Sequence, residues 1–103
     1  MIEANVDTVK RIKTSQVVKE PPKYKVIYVN DDVTTMEFVV ETLLEIFSYY
    51  DQEAIDKAME INDNGFGVIA VLPYEIAEQK GIEVTLLARS NSFPLQVRIE
   101  PDL

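Results

Sequence analysis

The sequence predicts an α+β fold, a small β-α-α-β-α-β sandwich in which a three-stranded antiparallel sheet packs against three helices. Three observations lead there. Residues 24–29 and 66–72 are runs rich in β-branched and aromatic side chains, and 95–99 alternates apolar with polar. The intervening segments carry apolar residues at helical spacing. At 103 residues without an internal repeat, the chain has room for one hydrophobic core.

The elements follow in order. Residues 1–21 are polar, lack a sustained period and end in Pro21-Pro22, so they are expected to be a flexible arm before a domain spanning 22–103. Their apolar Val6, Val9, Ile12, Val17 and Val18 leave a transient helix open. Tyr24-Lys25-Val26-Ile27-Tyr28-Val29 reads as the first strand, broken by Asn30-Asp31-Asp32. Thr34-Thr35-Met36-Glu37 fits a capping box with Thr34 as N-cap and Glu37 reaching back. The helix it opens should run to Phe47, burying Met36, Val39, Val40, Leu43, Leu44 and Phe47. Asp51 can cap a second helix to about Ile61, with Ile55, Ala58, Met59 and Asn62 on one face and a Glu53–Lys57 pair. Gly65 is the expected left-handed cap. Phe66 to Leu72 reads as a central strand, and Pro73 suits the first turn of a third helix over 74–90. Its apolar set includes Ile76, Ala77, Val84, Leu87 and Ala88, and Gly81 weakens it and leaves room for a kink. Leu95, Val97 and Ile99 mark the inward face of the last strand.

Composition narrows the function classes. The chain has no cysteine, histidine or tryptophan, which removes thiol chemistry, the commonest nucleophile–base pairings and the usual zinc ligands. No cofactor and no metal are expected, and the chain does not read as an enzyme. No apolar run approaches the roughly 18 residues of a membrane span, and the N-terminus lacks the apolar core of a secretory signal. The formal charge is −8, unevenly spread. Residues 1–20 hold four bases against three acids, whereas the rest holds six bases against fifteen acids. A body this acidic repels phosphate backbones, which argues against nucleic acid and anionic membrane and favours a cationic partner.

Two loops invite a functional reading. Glu60-x-Asn62-x-Asn64-Gly65 imitates the start of an EF-hand, but the closing position would be Val71 and not glutamate, so it reads as a helix cap. Asn30-Asp31-Asp32 has two readings. It is either a solvated turn, or three oxygen-bearing side chains placed beside an apolar helix end, able to neutralise a cation next to an apolar pocket. Adjacent carboxylates on one turn, with nothing to separate their pKa values, do not suit acid–base catalysis.

Pro22-x-Tyr24-Lys25-Val26-Ile27-x-Val29-Asn30-Asp31-Asp32-x-Thr34-x-Met36-Glu37-Phe38-Val39 closely resembles the ClpS family, the bacterial N-degron adaptors. The similarity continues in register through Gly65, Glu75-x-Ala77-Glu78-x-Lys80 and Phe93-Pro94-Leu95, spanning residues 22–100. The resemblance implies the same sandwich, and a cytoplasmic, monomeric adaptor. It would bind proteins whose first residue is large and apolar and deliver them to the AAA+ unfoldase ClpA or ClpC for proteolysis. It implies that Asn30 accepts from the substrate's α-ammonium and that Asp31 acts nearby, partly through water. Asp32, Thr34, Met36, Val39, Ile61 and Leu95 would form the pocket and its entrance. Glu75, Glu78 and Lys80 would dock the unfoldase, although acids in a first helical turn are equally an ordinary response to the helix dipole. Residues 1–20 match the arm that such adaptors feed toward the unfoldase pore.

Two departures fall inside that site. The family's second ammonium acceptor is a histidine four residues after a methionine, and here those positions are Asn62 and Ala58. Asn62 keeps an amide oxygen but cannot titrate near pH 6.5, and Ala58 removes bulk from the wall. The resemblance therefore implies binding without histidine-type pH sensitivity and with relaxed size discrimination. Two other readings stand beside it: a regulator that docks on the unfoldase without recognising N-termini, and an unrelated interaction domain resembling the C-terminal domain of the ribosomal stalk protein.

Overall fold

The computed structural model describes residues 20–103. The arm expected over residues 1–21 therefore lies, except for Glu20 and Pro21, outside the described residues. The order is β1 (Lys23–Val29), α1 (Met36–Phe47), α2 (Asp51–Asn64), β2 (Phe66–Pro73), α3 (Tyr74–Ser90) and β3 (Gln96–Pro101). These elements are the sandwich that the sequence predicts. β1 is central in the sheet order β2-β1-β3 and antiparallel to both neighbours. A register shift between Val26 and Ile27 in the pairing with β2 marks a bulge.

Alternation decides which face of β1 is covered. Tyr24, Val26 and Tyr28 turn inward, and the last two are completely buried with Phe38, Leu43, Ala54, Val84 and Ala88. The Tyr28 hydroxyl reaches the equally buried Thr42 hydroxyl at 2.7 Å, and Thr42 donates to the Val39 carbonyl at 2.8 Å. Burial pushes the Tyr28 phenol strongly up, so it stays neutral and serves as a hydrogen-bonding tip on an apolar body. Tyr28→Phe should lower the unfolding free energy by about 1–2 kcal/mol, read as an earlier urea midpoint at unchanged m-value. An unshifted midpoint would show that the hydroxyl pair contributes nothing.

Several local expectations need correction. The N-cap of α1 is Thr35 and not Thr34: the Thr35 hydroxyl accepts from Phe38 N at 3.1 Å, because the Thr34 hydroxyl donates to Asp31 instead. Met36 is exposed, and the buried stripe of α1 is Phe38, Val39, Thr42, Leu43 and Ile46, with Val40, Leu44 and Phe47 half-buried. Helix α2 is capped at Tyr50, whose amide donates to Glu53 Oε1 at 3.2 Å, and Asp51 is its first residue. Lys57 pairs with Glu60 at 3.1 Å in place of the expected Glu53. The buried face of α2 is Ala54, Ala58 and Ile61, leaving Ile55 and Met59 exposed. Ile76 is likewise exposed on α3.

Glycines explain two close approaches. A Cβ on Gly67 would stand 2.8 Å from Ile61 Cγ1, so the missing side chain leaves room for Ile61 of α2 to pack against β2. A Cβ on Gly81 would meet Ile99 Cδ1 at 3.3 Å, so α3, unbroken from Tyr74 to Ser90, sits close on β3.

Candidate functional site

The Asn30-Asp31-Asp32 junction is organised by one carboxylate. Asp31 Oδ1 accepts from the amides of Val33 (2.8 Å) and Thr34 (2.6 Å), and Oδ2 accepts from the Thr34 hydroxyl at 2.8 Å. This is an aspartate turn that the sequence favours wherever an acid precedes a helix by a few residues. Burial alone would raise the Asp31 pKa. The three bonds from Thr34 and Val33, helped by the Arg89 charge, outweigh that and hold it below the usual value. The carboxylate therefore stabilises the loop fully above the ordinary aspartate range. That contribution fades only as pH falls through the lowered folded pKa.

A second tie brings α2 to this loop. Gly65 ends α2 at φ +90, a left-handed conformation that suits glycine. Its carbonyl then accepts from the Asn30 amide at 2.9 Å. Asn62, one turn earlier on α2, is thereby carried to the same place as Asn30, although 32 positions separate them in the chain.

The result is a cavity of about 290 Å³ lined by Asn30, Asp31, Asp32, Thr34, Met36, Val39, Ala58, Ile61 and Asn62. Nine of the ten residues expected at the amino-group site and pocket line it. Leu95 does not: it is buried beneath the surface in the core, at 1% exposure. Val39, Ala58 and Ile61 are buried and form an apolar floor, whereas Asn30, Asp32 and Asn62 are exposed at the rim. Met36 is 42% exposed and stands at the edge. Neither the Asn30 nor the Asn62 side chain makes a hydrogen bond among the described residues, so both amides are free to meet a ligand. Asp31, which also lines the cavity, has three of roughly four acceptor sites occupied, which leaves one open.

Sequence reasoning missed two supporting residues. Arg89 donates to the carbonyls of Phe93 and Leu95, both at 2.9 Å, fixing the turn before β3 and bringing a positive charge to act on Asp31. Gly67 fits beneath Ile61 and so sets the depth of the floor. A basic residue in the last turn of α3 was a visible signal for the first, and nothing local marked the second.

Glu75 and Glu78 lie exposed on the first turns of α3, away from the cavity, and Glu78 accepts from the Tyr74 hydroxyl at 3.0 Å. Lys80 is engaged within the fold. It donates to the Ile46 carbonyl at 2.8 Å and stands 5.6 Å from the centre of the Phe47 ring. There it supplies the cation that the last turn of α1 lacks. Among the described residues no group of acidic side chains is placed to hold a metal ion, and no helix is long and apolar enough to cross a membrane.

Comparison with known proteins adds the lineage. The family model for the ATP-dependent Clp protease adaptor protein ClpS matches residues 19–98. The ClpS adapter of Wolinella succinogenes is 38% identical over 100 residues, covering 97% of this chain and 98% of that protein. The ClpS adapter of Clostridium acetobutylicum is 42% identical over 86 residues, covering 84% of this chain and 85% of that one. Among solved structures, Agrobacterium tumefaciens ClpS2 bound to L-phenylalaninamide superposes with a TM-score of 0.78 at 35% identity, over 81% of this chain and all of that one. The chain thus belongs to the ClpS family, whose members are adaptors of the ATP-dependent Clp protease and not enzymes.

Proposed function

We propose that this protein is an N-degron adaptor. It binds proteins that begin with a bulky hydrophobic residue and a free α-amino group, and delivers them to a ClpA- or ClpC-type AAA+ unfoldase. It does so in the cytoplasm as a monomer, with residues 22–103 as the adaptor domain and the preceding residues as an arm. The observation that carries the reading is the one cavity in which Asn30, Asp31 and Asn62 ring an apolar floor. A protein N-terminus is mostly cationic at neutral pH and needs several acceptors when desolvated. Its first side chain gains about 1.5–3 kcal/mol from burial. Polar rim and apolar floor answer those two needs. The phenylalaninamide held by the Agrobacterium relative presents the same pair of groups, a free amine and a large apolar side chain.

Within this reading, Asn30 and Asn62 accept from the ammonium, Asp31 orders the loop and supplies charge, and Thr34 and Met36 edge the opening. Glu75 and Glu78 face the unfoldase, and Lys80 steadies their helix from the α1 side. Fluorescence anisotropy with a Phe-initiated peptide and its Gly-initiated counterpart tests the central claim. Binding of the first alone is expected. Failure of both, with the chain still co-purifying with ClpA or ClpC, would instead establish a docking regulator.

Ala58 adds a specificity prediction. A methyl group in the floor leaves space for a β-branched first residue, so Ile- and Val-initiated peptides should compete within about tenfold of Leu. Their strict rejection would show that the space is closed by another side chain. Ala58→Met should then sharpen discrimination in favour of unbranched side chains.

A further inference from the structure

β3 is an edge strand of the sheet, and its outer side opens into a recess beneath α3. The Asp102 amide donates to the Lys23 carbonyl and the Asn30 amide to the Gly65 carbonyl, both at 2.9 Å. Backbone groups alternate in direction along an antiparallel ladder. In register with these two bonds, Gln96, Arg98 and Glu100 turn their N–H and C=O groups toward β1. Val97 and Ile99 turn theirs the other way, to the outer edge, and no other backbone hydrogen bond among the described residues engages them. Pro101, the next outward position, has no N–H and ends the edge. The side chains of the same Val97 and Ile99 floor the recess, with Gly81, Ile82 and Leu86 of α3 as its wall and Glu78 toward the start of that helix. Its volume is about 220 Å³, and Ile82 and Leu86 are 54% and 65% exposed.

We propose, resting on the adaptor reading above, that an extended segment of the unfoldase adds to β3 as a fourth strand and sets alternate apolar side chains into this recess. Backbone chemistry selects the form of the occupant. Val97 and Ile99 offer two donors and two acceptors in line, which an extended chain satisfies and a helix does not. Spacing agrees with it. Every second side chain of a strand points to the same face, about 6.8 Å apart, and Ile82 and Leu86 are about 6 Å apart along their helix. Continuity and charge select its source. Glu78 belongs both to the recess and to the proposed docking face, whereas the recess and the amino-group cavity share no lining residue. Glu78 is also the one charged residue that lines the recess, and Lys80 is turned away onto the end of α1. The segment therefore carries a basic residue at its Glu78 end.

Other arrangements fit less well. The open face of the sheet carries Ile27, Val29 and Phe66 beside Arg98 and Glu100, which offset each other at 3.7 Å. Apolar contact is on offer there, but the ladder beneath is already paired and no net charge selects a partner. A second copy at the same edge would bring together two chains that each carry a formal charge of −8, which repels.

Amide exchange and binding test this on the full chain. Alone, the amides of Val97 and Ile99 should exchange fast, and those of Arg98 and Glu100, bonded to β1, slowly. Saturating isotope-labelled chain with unlabelled ClpA or ClpC should slow Val97 and Ile99 by at least about tenfold. Ile82→Glu with Leu86→Glu, both at exposed positions, should weaken unfoldase binding by at least about tenfold. Binding of a Phe-initiated peptide in the cavity should stay unchanged in that variant, which also shows that it folds. With the unaltered chain bound, unchanged exchange at Val97 and Ile99, or full affinity in the double variant, would overturn the added strand and leave the adaptor reading standing. No binding of the unaltered chain to either unfoldase would remove both. Slow exchange at Val97 and Ile99 in the chain alone, with twice the mass in sedimentation, would assign the edge to a second copy and overturn the proposal.

Discussion

N-acetylation of a Phe-initiated peptide should weaken its binding to this protein by at least about a hundredfold. The free amine brings one positive charge and three donors into reach of Asn30, Asn62 and the remaining acceptor site of Asp31. Acetylation removes the charge and leaves one amide N–H. Two charge-assisted hydrogen bonds lost at about 1.5–3 kcal/mol each exceed the 2.8 kcal/mol or so that corresponds to two decades of affinity. The apolar floor is untouched by this change, so the loss measures the rim alone. Isothermal titration of both peptides checks it, and equal affinities would mean that the cavity reads only the side chain.

The titrating groups of cavity and peptide also fix a pH profile. No histidine is present, and Asp31 is held ionised to below the ordinary aspartate range by Thr34 and Val33. From pH 5.5 to 7 affinity should therefore be flat. Above the α-amino pKa of about 7.7–8.0 it should fall roughly tenfold per pH unit, because only the protonated amine binds well. Asn62→His would add a loss on the acid side, since a protonated imidazole offers no acceptor and repels the ammonium. A sharp fall from pH 7.5 to 5.5 in the unaltered protein would refute the assignment of Asn62.

Much of this architecture was legible in the chain, because strand alternation and helix spacing are local. The order of elements, the Gly65 cap and the Asn30 junction all follow from residues within a few positions of one another. What escaped were choices made by contacts between elements. Two adjacent threonines can each cap α1, and the decision for Thr35 depends on Asp31 taking the Thr34 hydroxyl. On α2 the larger Ile55 and Met59 compete with Ala54 and Ala58 for the inward face. The smaller pair is buried together with Ile61, which lies against Gly67 of β2. Leu95, the residue before β3, shares the inward side of Val97 and Ile99, but alternation gives side and not depth, and it lies in the core instead of in the cavity wall. The expected meeting of Asn30 with Asn62 came from resemblance. Its physical cause, the Asn30–Gly65 backbone bond, is a tertiary contact.

Asp31→Ala should be the most damaging single change at the rim, lowering affinity for a Phe-initiated peptide by about thirtyfold or more. The carboxylate does two things, and the substitution removes both. It leaves the amides of Val33 and Thr34 and the Thr34 hydroxyl without their acceptor, so the turn that aims Asn30 and opens α1 loses its organiser. It also removes one of the two carboxylates that line the cavity, and either loss alone is worth about 1–3 kcal/mol. Asp31→Asn separates them. An asparagine oxygen can still accept from the two amides, and the threonine hydroxyl can turn to accept from its amide group, so the loop survives without the charge. An intermediate loss for asparagine and a large one for alanine is the expected order, with melting temperatures showing that both variants fold. If the two variants were equally impaired, Asp31 would act through its charge only. If neither lost affinity, the ordered turn would be irrelevant to binding and the rim would reduce to Asn30 and Asn62.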